Sequence, residues 1–236
     1  MNVCAYTSVC EEDRTWIPQY LAEVERIGVW FCIHLDRCRP ETKKYLVDHP
    51  ACRGYTESRS DCKEFSESHK QGAMDLAARS GADWAMAWDI DETWEPEFRD
   101  KIRLLDSSSM DYVKCPWLNL WGDVEHVRVD GPFEGGYRVK FYNLKKGFIY
   151  KFTHHVINGP KCVNSSLTEC TDLPIICIHH GMMTHELRVQ HKERWDRIYT
   201  SWVGSNPYGI WNYSLSYEDY PPSVCLLEER LRVWRV

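Results

Sequence analysis

No window of this 236-residue chain approaches the about 18 consecutive apolar residues that a membrane-spanning helix needs. Positive charge is not in surplus either: 29 Lys and Arg stand against 35 Asp and Glu, for a formal net charge of -6. Nothing therefore draws the whole molecule to phosphate backbones or anionic membranes, although a local basic patch is compatible with that balance. The opening "MNVCAYTSVC" has no basic lead and no long apolar stretch, so no targeting signal is read and a cytoplasmic location is expected. Internal repeats and low-complexity tracts are absent too. The 43% hydrophobic content is enough to bury one sizeable core at this length.

Cysteine is plentiful, with eleven residues, but the number is odd and the residues are scattered inside apolar runs such as "WFCIHL" and "IICIHH". Reduced, buried thiols are expected rather than a disulfide scaffold. By the same reasoning Asn164 and Asn212, which open N-x-S/T triplets, are read as chance matches.

Along the chain, residues 2–9 read as a strand. Trp16, Ile17, Tyr20, Leu21, Val24 and Ile27 then recur at helical spacing and stop at Gly28. A second strand, "VWFCIHLD", precedes a short helix from Pro40, whose fixed φ suits a first helical turn. After an extended piece near "RGYT", Asp61 and Glu64 form a capping box for a helix through Phe65, Ala73, Leu76 and Ala77 that ends at Gly81. The strand "DWAMAWD" follows, and a helix is expected to restart at Pro96. Alternating strands and helices predict an α/β fold with a mostly parallel central sheet flanked by helices. Past residue 110, "DYVKCPWLNLW", "YRVKFYN" and "FIYKF" are joined by turns, which predicts a smaller antiparallel portion. A loop over 158–174, the strand "IICIHH" and a helix from Thr184 carrying Leu187, Trp195, Ile198 and Trp202 come next. The tail is aromatic and proline-rich and closes on "SVCLLEERLRVW", a candidate final helix.

The stretch "GADWAMAWDIDETWEPEF" runs an apolar strand into Asp89, Asp91 and Glu92. Unpaired acids repel and are costly to bury, so such a cluster at a strand end calls for a cation. Read as extended chain, it points Asp89 and Asp91 the same way and Ile90 into the core. Two carboxylates so placed suit one hard cation, Mg2+ or Mn2+, completed by water and substrate phosphates. The plain alternative is a solvated turn, with Glu92 equally suited to helix-end electrostatics.

"ADWAMAWDIDETWEP" resembles the metal-binding D-x-D segment of GT-A-fold glycosyltransferases, particularly the family-2-like group, and other stretches follow in that group's order. "YTSVCEEDRTWIPQYLAEVERIG" resembles its first strand and helix, which implies that Glu11 or Glu12 holds the nucleoside. "FCIHLDRCRPET" resembles its second strand, which implies that Asp36 contacts base or ribose. The helix carrying Lys70 and Gln71 resembles the one that approaches the nucleotide. "CIHHGMMTHELRVQHKERW" resembles its "H-x-G … E-L-R … K-x-x-R" ending.

The resemblance covers about residues 2–199. It implies a catalytic domain over 1–203, with a nucleotide-binding half (1–110) and an acceptor-side half (111–203), and a packed extension over 204–236. It further implies a metal-dependent transfer of sugar from a nucleoside-diphosphate sugar, most simply a UDP-sugar, to an acceptor hydroxyl on a glycan, a lipid-linked sugar, a protein or a modified DNA base. Asp91 is the first choice for direct metal contact, Asp89 meets the metal or the ribose, and His179 completes the site with His180 as competitor. Two departures stand out. Cys10 replaces the usual Asn before the first acid, and His154-His155 replaces the usual His-Glu.

A base for the acceptor hydroxyl is therefore sought by position, in His155 and then in Asp130 and Glu134 of "VDGPFEGGY". Arg138, Lys140, Lys192 and Arg194 are candidates to face the diphosphate or to remain solvated. Trp117, Trp121, Trp202 and Trp211 are candidates for stacking platforms or for packing. "AMAWDIDET" also fits the D-x-D-x-T of haloacid-dehalogenase-type phosphatases, but two strand–helix units precede it here. A nucleotidyltransferase would use the same aspartates behind a basic glycine-rich loop, where this chain has the acidic "VCEEDRTW". A non-catalytic sugar-nucleotide-binding protein is the remaining alternative.

Overall fold

The computed structural model describes residues 1–58, 67–107, 110–129, 136–149, 161–162, 170–190, 193–194 and 224–234. In chain order the strands are β1 (Val3–Cys10), β2 (Trp30–Asp36), β3 (Cys52–Ser58), β4 (Trp84–Ala87), β5 (Glu92–Trp94), β6 (Tyr112–Asn119), β7 (His126–Arg128), β8 (Tyr137–Asn143), β9 (Phe148–Ile149), β10 (Lys161–Cys162), β11 (Cys170–Asp172), β12 (Cys177–His179) and β13 (Val224–Leu226). The α-helices are α1 (Ile17–Ile27), α2 (Pro40–Val47), α3 (Glu67–Arg79), α4 (Phe98–Lys101) and α5 (Leu227–Trp234).

The expected α/β architecture is what the chain forms. The main sheet has nine strands in the order β3-β2-β1-β4-β8-β6-β12-β5, with β11 also paired to β6. β3, β2, β1 and β4 run parallel, and β6 runs parallel to both β11 and β12. β8 lies antiparallel between β4 and β6, and β5 lies antiparallel to β12. Two antiparallel turns of direction across β8 leave β12 running the same way as β1, β2 and β4. All four strands therefore end on one side of the sheet.

Side-chain alternation divides the core between the two faces. Ala5, Val9, Phe31, Ile33, Leu35, Trp84 and Met86 pack with Ile17, Tyr20, Leu21, Val24 and Ile27 of α1 and Leu46 of α2. Cys4, Tyr6, Cys32 and Ala85 pack on the other face with Ala73, Met74 and Ala77 of α3. Burying both faces explains why β1 and β2 read as nearly continuous apolar runs. Each large aliphatic side chain so buried contributes about 1.5–3 kcal/mol. α1 stops where expected: Gly28 takes a left-handed conformation at φ 72° and its N–H returns to Val24 O.

Two sequence expectations change. The last acid and the two residues after it do not lead straight into a helix: Glu92–Trp94 form β5, held by pairing to β12, and the helix begins at Phe98, two residues past Pro96, as the four-residue α4 continued by a 3-10 helix over Ile102–Ser107. The final segment divides into β13, which pairs with β7, and then α5, whose Leu231 packs on Leu118, Leu120, Val127 and Ile178. The capping pair Asp61 and Glu64 lies outside the described residues.

Under the end of β2 lies a polar cluster in which His34 and His69 are buried. The His34 ring stacks on His69 with centroids 3.9 Å apart and planes 11° apart. Its Nδ1 lies 2.8 Å from Thr56 Oγ1 and its Nε2 3.0 Å from Ser58 Oγ. Burial first, and His69 second, push the His34 pKa down to about 4 against the opposing pull of Asp36. The unfolded chain protonates this group near about 6.5. A folded pKa below the unfolded one means that stability is intact above pH ~6.5 and falls as pH drops towards about 4, by a total on the order of 3 kcal/mol. Replacing His34→Gln is expected to flatten that part of the acid limb in urea denaturation at stepped pH. An unchanged slope would mean that His34 does not protonate there.

Candidate functional site

The carboxyl ends of parallel strands are where open α/β sheets leave crevices, and the acids gather there. β4 ends at Ala87, and the chain turns over residues 90–91, with the Glu92 N–H donating to Asp89 O at 3.1 Å. Asp89 and Asp91 thus flank a turn, contrary to the extended geometry expected, while Ile90 does point into the core at 5% exposure.

The turn sends the three carboxylates to three partners. Asp89 accepts from Lys70 Nζ on α3 at 2.9 Å. Its desolvation favours the neutral acid, but Lys70 and Lys140 outweigh that and hold the carboxyl well below the usual range. Glu92, 1% exposed, receives Lys140 Nζ on both oxygens at 2.6 Å, Trp117 Nε1 at 2.8 Å and the Asp89 N–H at 3.0 Å. Lys140 is therefore neither a solvated charge nor a group facing the cleft. Asp91 Oδ2 meets His179 Nε2 at 3.2 Å.

His179 ends β12 and is 7% exposed. Its Nδ1 donates to Asn119 Oδ1 at 2.7 Å, and its ring stacks on Trp117 with centroids 4.8 Å apart and planes 28° apart. Arg138 lies over the same Trp117 at 4.9 Å. Gly181 sits against the pair: a Cβ there would collide with Asp91 Oδ2 and lie 2.8 Å from His179 Nε2. His180 turns elsewhere, with Nε2 2.8 Å from Thr93 Oγ1 and its ring 6.2 Å from Trp16. Burial, aided by His179, pushes its pKa down to about 4, so it is neutral at pH 7. Among the described residues no three His, Cys, Asp or Glu side chains gather as a metal-holding group.

A cleft of ≈ 190 Å³ opens beside Asp91 and Gly181, bordered by Glu12, Trp16, Gln190 and Glu193. Glu11 faces the start of α2 instead, accepting from the Arg39 N–H at 2.9 Å and from Thr42 Oγ1 at 3.2 Å. Asp13, which no motif flagged, accepts from the Cys10 N–H at 2.9 Å and binds Arg194 at 2.7 Å, joining the β1 turn to the segment after β12. Asp36 is buried at 1% exposure. Arg37 grips its Oδ2 through two nitrogens at 3.0 Å, and the Ser58 hydroxyl donates to Oδ1 at 3.4 Å. Arg37 holds a left-handed backbone at φ 53°, a conformation that costs a non-glycine residue about 1–2 kcal/mol. The Gln71 amide donates to Asp75 one helical turn on, at 2.6 Å. Trp121 is enclosed by Arg128 and Arg188, 4.7 and 4.2 Å from its ring. Asp130, Glu134, His155, Lys192, Trp202 and Trp211 lie outside the described residues.

Sequence reasoning also passed over Glu23, Glu95 and Asn119. Glu23 accepts from the Trp94 N–H at 2.8 Å and Glu95 from the Ile176 N–H at 2.8 Å, which pins β5 between α1 and β12. The signal available for Asn119 was its place inside the apolar run "PWLNLW"; Glu95, in the acid-rich "ETWEPEF", carried none.

No family model matches the chain, and no curated protein matches it. Among solved structures it is similar to residues 1–349 of S. aureus TarS, with 9% identity over 93% of this chain and 74% of that one and a TM-score of 0.47. It is similar to the mannosyltransferase PcManGT from Pyrobaculum calidifontis, in complex with GDP-Man and Mn2+, with 11% identity over 92% and 69% of the two chains and a TM-score of 0.46. HddC from Yersinia pseudotuberculosis aligns over 83% of this chain and all of its own, 100%, at 12% identity and a TM-score of 0.44.

The buried pair makes one strong demand on stability. Removing one partner strands the other charge, a loss of about 3–5 kcal/mol, whereas removing both is far milder. Lys140→Met is expected to lower the unfolding free energy by that amount in urea titrations, and the double variant Lys140→Met/Glu92→Gln to recover much of it. A single variant no worse than the double would show that Glu92 does not depend on Lys140.

Proposed function

We propose that the chain is a metal-dependent glycosyltransferase of the GT-A kind, which moves a sugar from a nucleoside-diphosphate sugar to an acceptor hydroxyl. UDP is the nucleotide that the sequence resemblance favours. The observation that carries the reading is the Asp91–His179 pair, facing across 3.2 Å at the carboxyl ends of the strands, with Gly181 clearing the space beside it. The donor set fits a divalent ion. A carboxylate oxygen and an imidazole nitrogen suit Mn2+, which accepts mixed oxygen and nitrogen ligands. Phosphate oxygens of the donor and water would complete its coordination, as is usual where a protein supplies few ligands.

When bound, the ion supplies Lewis-acid stabilisation of the departing nucleoside diphosphate. The chain's own residues divide the rest. Asp91 and His179 hold the ion. Lys70 keeps Asp89 ionised, and in this reading Asp89 meets a ribose hydroxyl or a metal-bound water. Glu12 and Trp16 border the cleft from the β1 turn, on the side where a nucleoside enters in this reading. For the acceptor proton the residues assigned by position are His155, then Asp130 and Glu134. Acceptors of the class sought are a glycan, a lipid-linked sugar, a protein or a modified DNA base. Among the described residues, no helix is long and apolar enough to cross a membrane.

The test is nucleotide release from a panel of nucleotide sugars with Mn2+. Nucleoside diphosphate is the expected product, cleavage of simple phosphate esters would favour the phosphatase reading, and neither would favour a binding protein. Asp91→Ala is expected to abolish release while keeping the wild-type melting curve; full turnover by that variant would defeat the assignment. Gly181→Ala is expected to push Asp91 and His179 apart. Overpacking of this kind costs about 1–3 kcal/mol of stability, and with either ligand displaced Mn2+ binding is expected to weaken by about tenfold or more. Calorimetric titration reads this directly.

A further inference from the structure

We infer that Asn119 is a positioning residue that fixes His179 in the tautomer presenting Nε2 to the ion, an inference that rests on the metal reading of the Asp91–His179 pair. Asn119 is fully buried on β6, at 0% exposure, and stands opposite His179 in the β6–β12 ladder. Its Oδ1 lies 2.7 Å from His179 Nδ1. An amide oxygen only accepts, so Nδ1 carries a proton and Nε2 is the nitrogen left to give up its proton to a metal. That nitrogen faces Asp91 Oδ2 at 3.2 Å. A proton on Nε2 bridges this contact when no ion is bound, and in this reading a divalent ion takes that proton's place.

The opposite amide orientation would send the proton to Nε2 and leave no lone pair for metal. Among the described residues the Asn119 Nδ2 has no hydrogen-bond partner, so there the His179 contact alone accounts for a buried amide, whose presence costs desolvation that a leucine would avoid. Trp117 completes the support: stacked on the imidazole and tied to Glu92, it stops the ring from swinging about its side-chain torsions. Support of this kind orients metal-bound histidines and, when removed, typically weakens the metal by about 10- to 100-fold.

The experiment is a Mn2+ titration of the full chain, without nucleotide, followed by electron paramagnetic resonance. Asn119→Leu, which cannot accept from Nδ1, is expected to raise the dissociation constant about 10- to 100-fold, and Asn119→Asp, which can, to stay within about threefold of wild type. If both variants bind Mn2+ like wild type and lose only stability, Asn119 is structural and the inference fails. A measurement on the unaltered protein stands in should Asn119→Leu not fold. In the Mg2+-loaded chain, nitrogen NMR is expected to find His179 protonated at Nδ1, and protonation at Nε2 overturns the inference. Asp91→Ala and His179→Ala separate the two levels. If these bind Mn2+ normally, the metal reading itself falls and takes the inference with it; if they lose Mn2+ and Asn119→Leu does not, only the role of Asn119 falls.

Discussion

The buried contact between Glu92 and Lys140 is the constraint on which the cleft depends. A carboxylate with 1% exposure is tolerable only with a cation and with its remaining lone pairs occupied. Lys140, Trp117 and the Asp89 N–H meet that demand together. With Glu92 so held, β5 stays paired to β12 and the turn before it must bulge outward. Asp89 and Asp91 are carried to opposite sides of that turn, one towards Lys70 and the other towards His179. The same anchored Trp117 backs the imidazole. A string of acids that would repel one another in isolation coexists because each is matched by a group arriving from a different element.

Periodicity made the first half of the fold readable. The α1 stripe, the helix from Pro40 and the apolar runs of β1, β2 and β4 all sit where spacing put them, because each buries a face that only one secondary structure presents. β5 was not readable. Three residues carry no period, and what makes them a strand is external: the register with Cys177 and Ile178, and the Glu23 carboxylate on the Trp94 N–H. Pro96 stands two residues before α4 and follows a strand whose stability comes from α1 and β12. In the terminal segment the apolar residues of α5 were recognisable, whereas the preceding β13 exists through its pairing with β7.

At the site, individual residue types were visible and their partners were not. Asp89, Asp91 and His179 stood out as acids and an imidazole at strand ends, and the fold brings Asp91 and His179 together. That Lys140 belongs to Glu92, 48 residues away, or that Asp13 rather than Glu11 binds Arg194 across 181 positions, is long-range information with no local pattern. Asp36 shows a related limit. Its place at the end of β2 was legible, but its burial beneath Arg37 and Ser58 follows from a left-handed residue that no propensity would have suggested. Asn119 looked like the end of an apolar strand, and only the ladder reveals that it faces His179.

The His179 ring hangs from β12, and the Asp91 carboxylate from the turn that enters β5, whose first residue Glu92 is in register with His179; the His180 N–H also donates to Asp91 O at 2.9 Å. Such a jaw has one side on a strand and the other tied to it by the ladder one residue away, and sites on strands hold their geometry more tightly than sites on loops. Loops around it can therefore lengthen, shorten or change composition over evolutionary time without resetting the jaw, so that new partners can be tried on one side while the grip on the other is preserved.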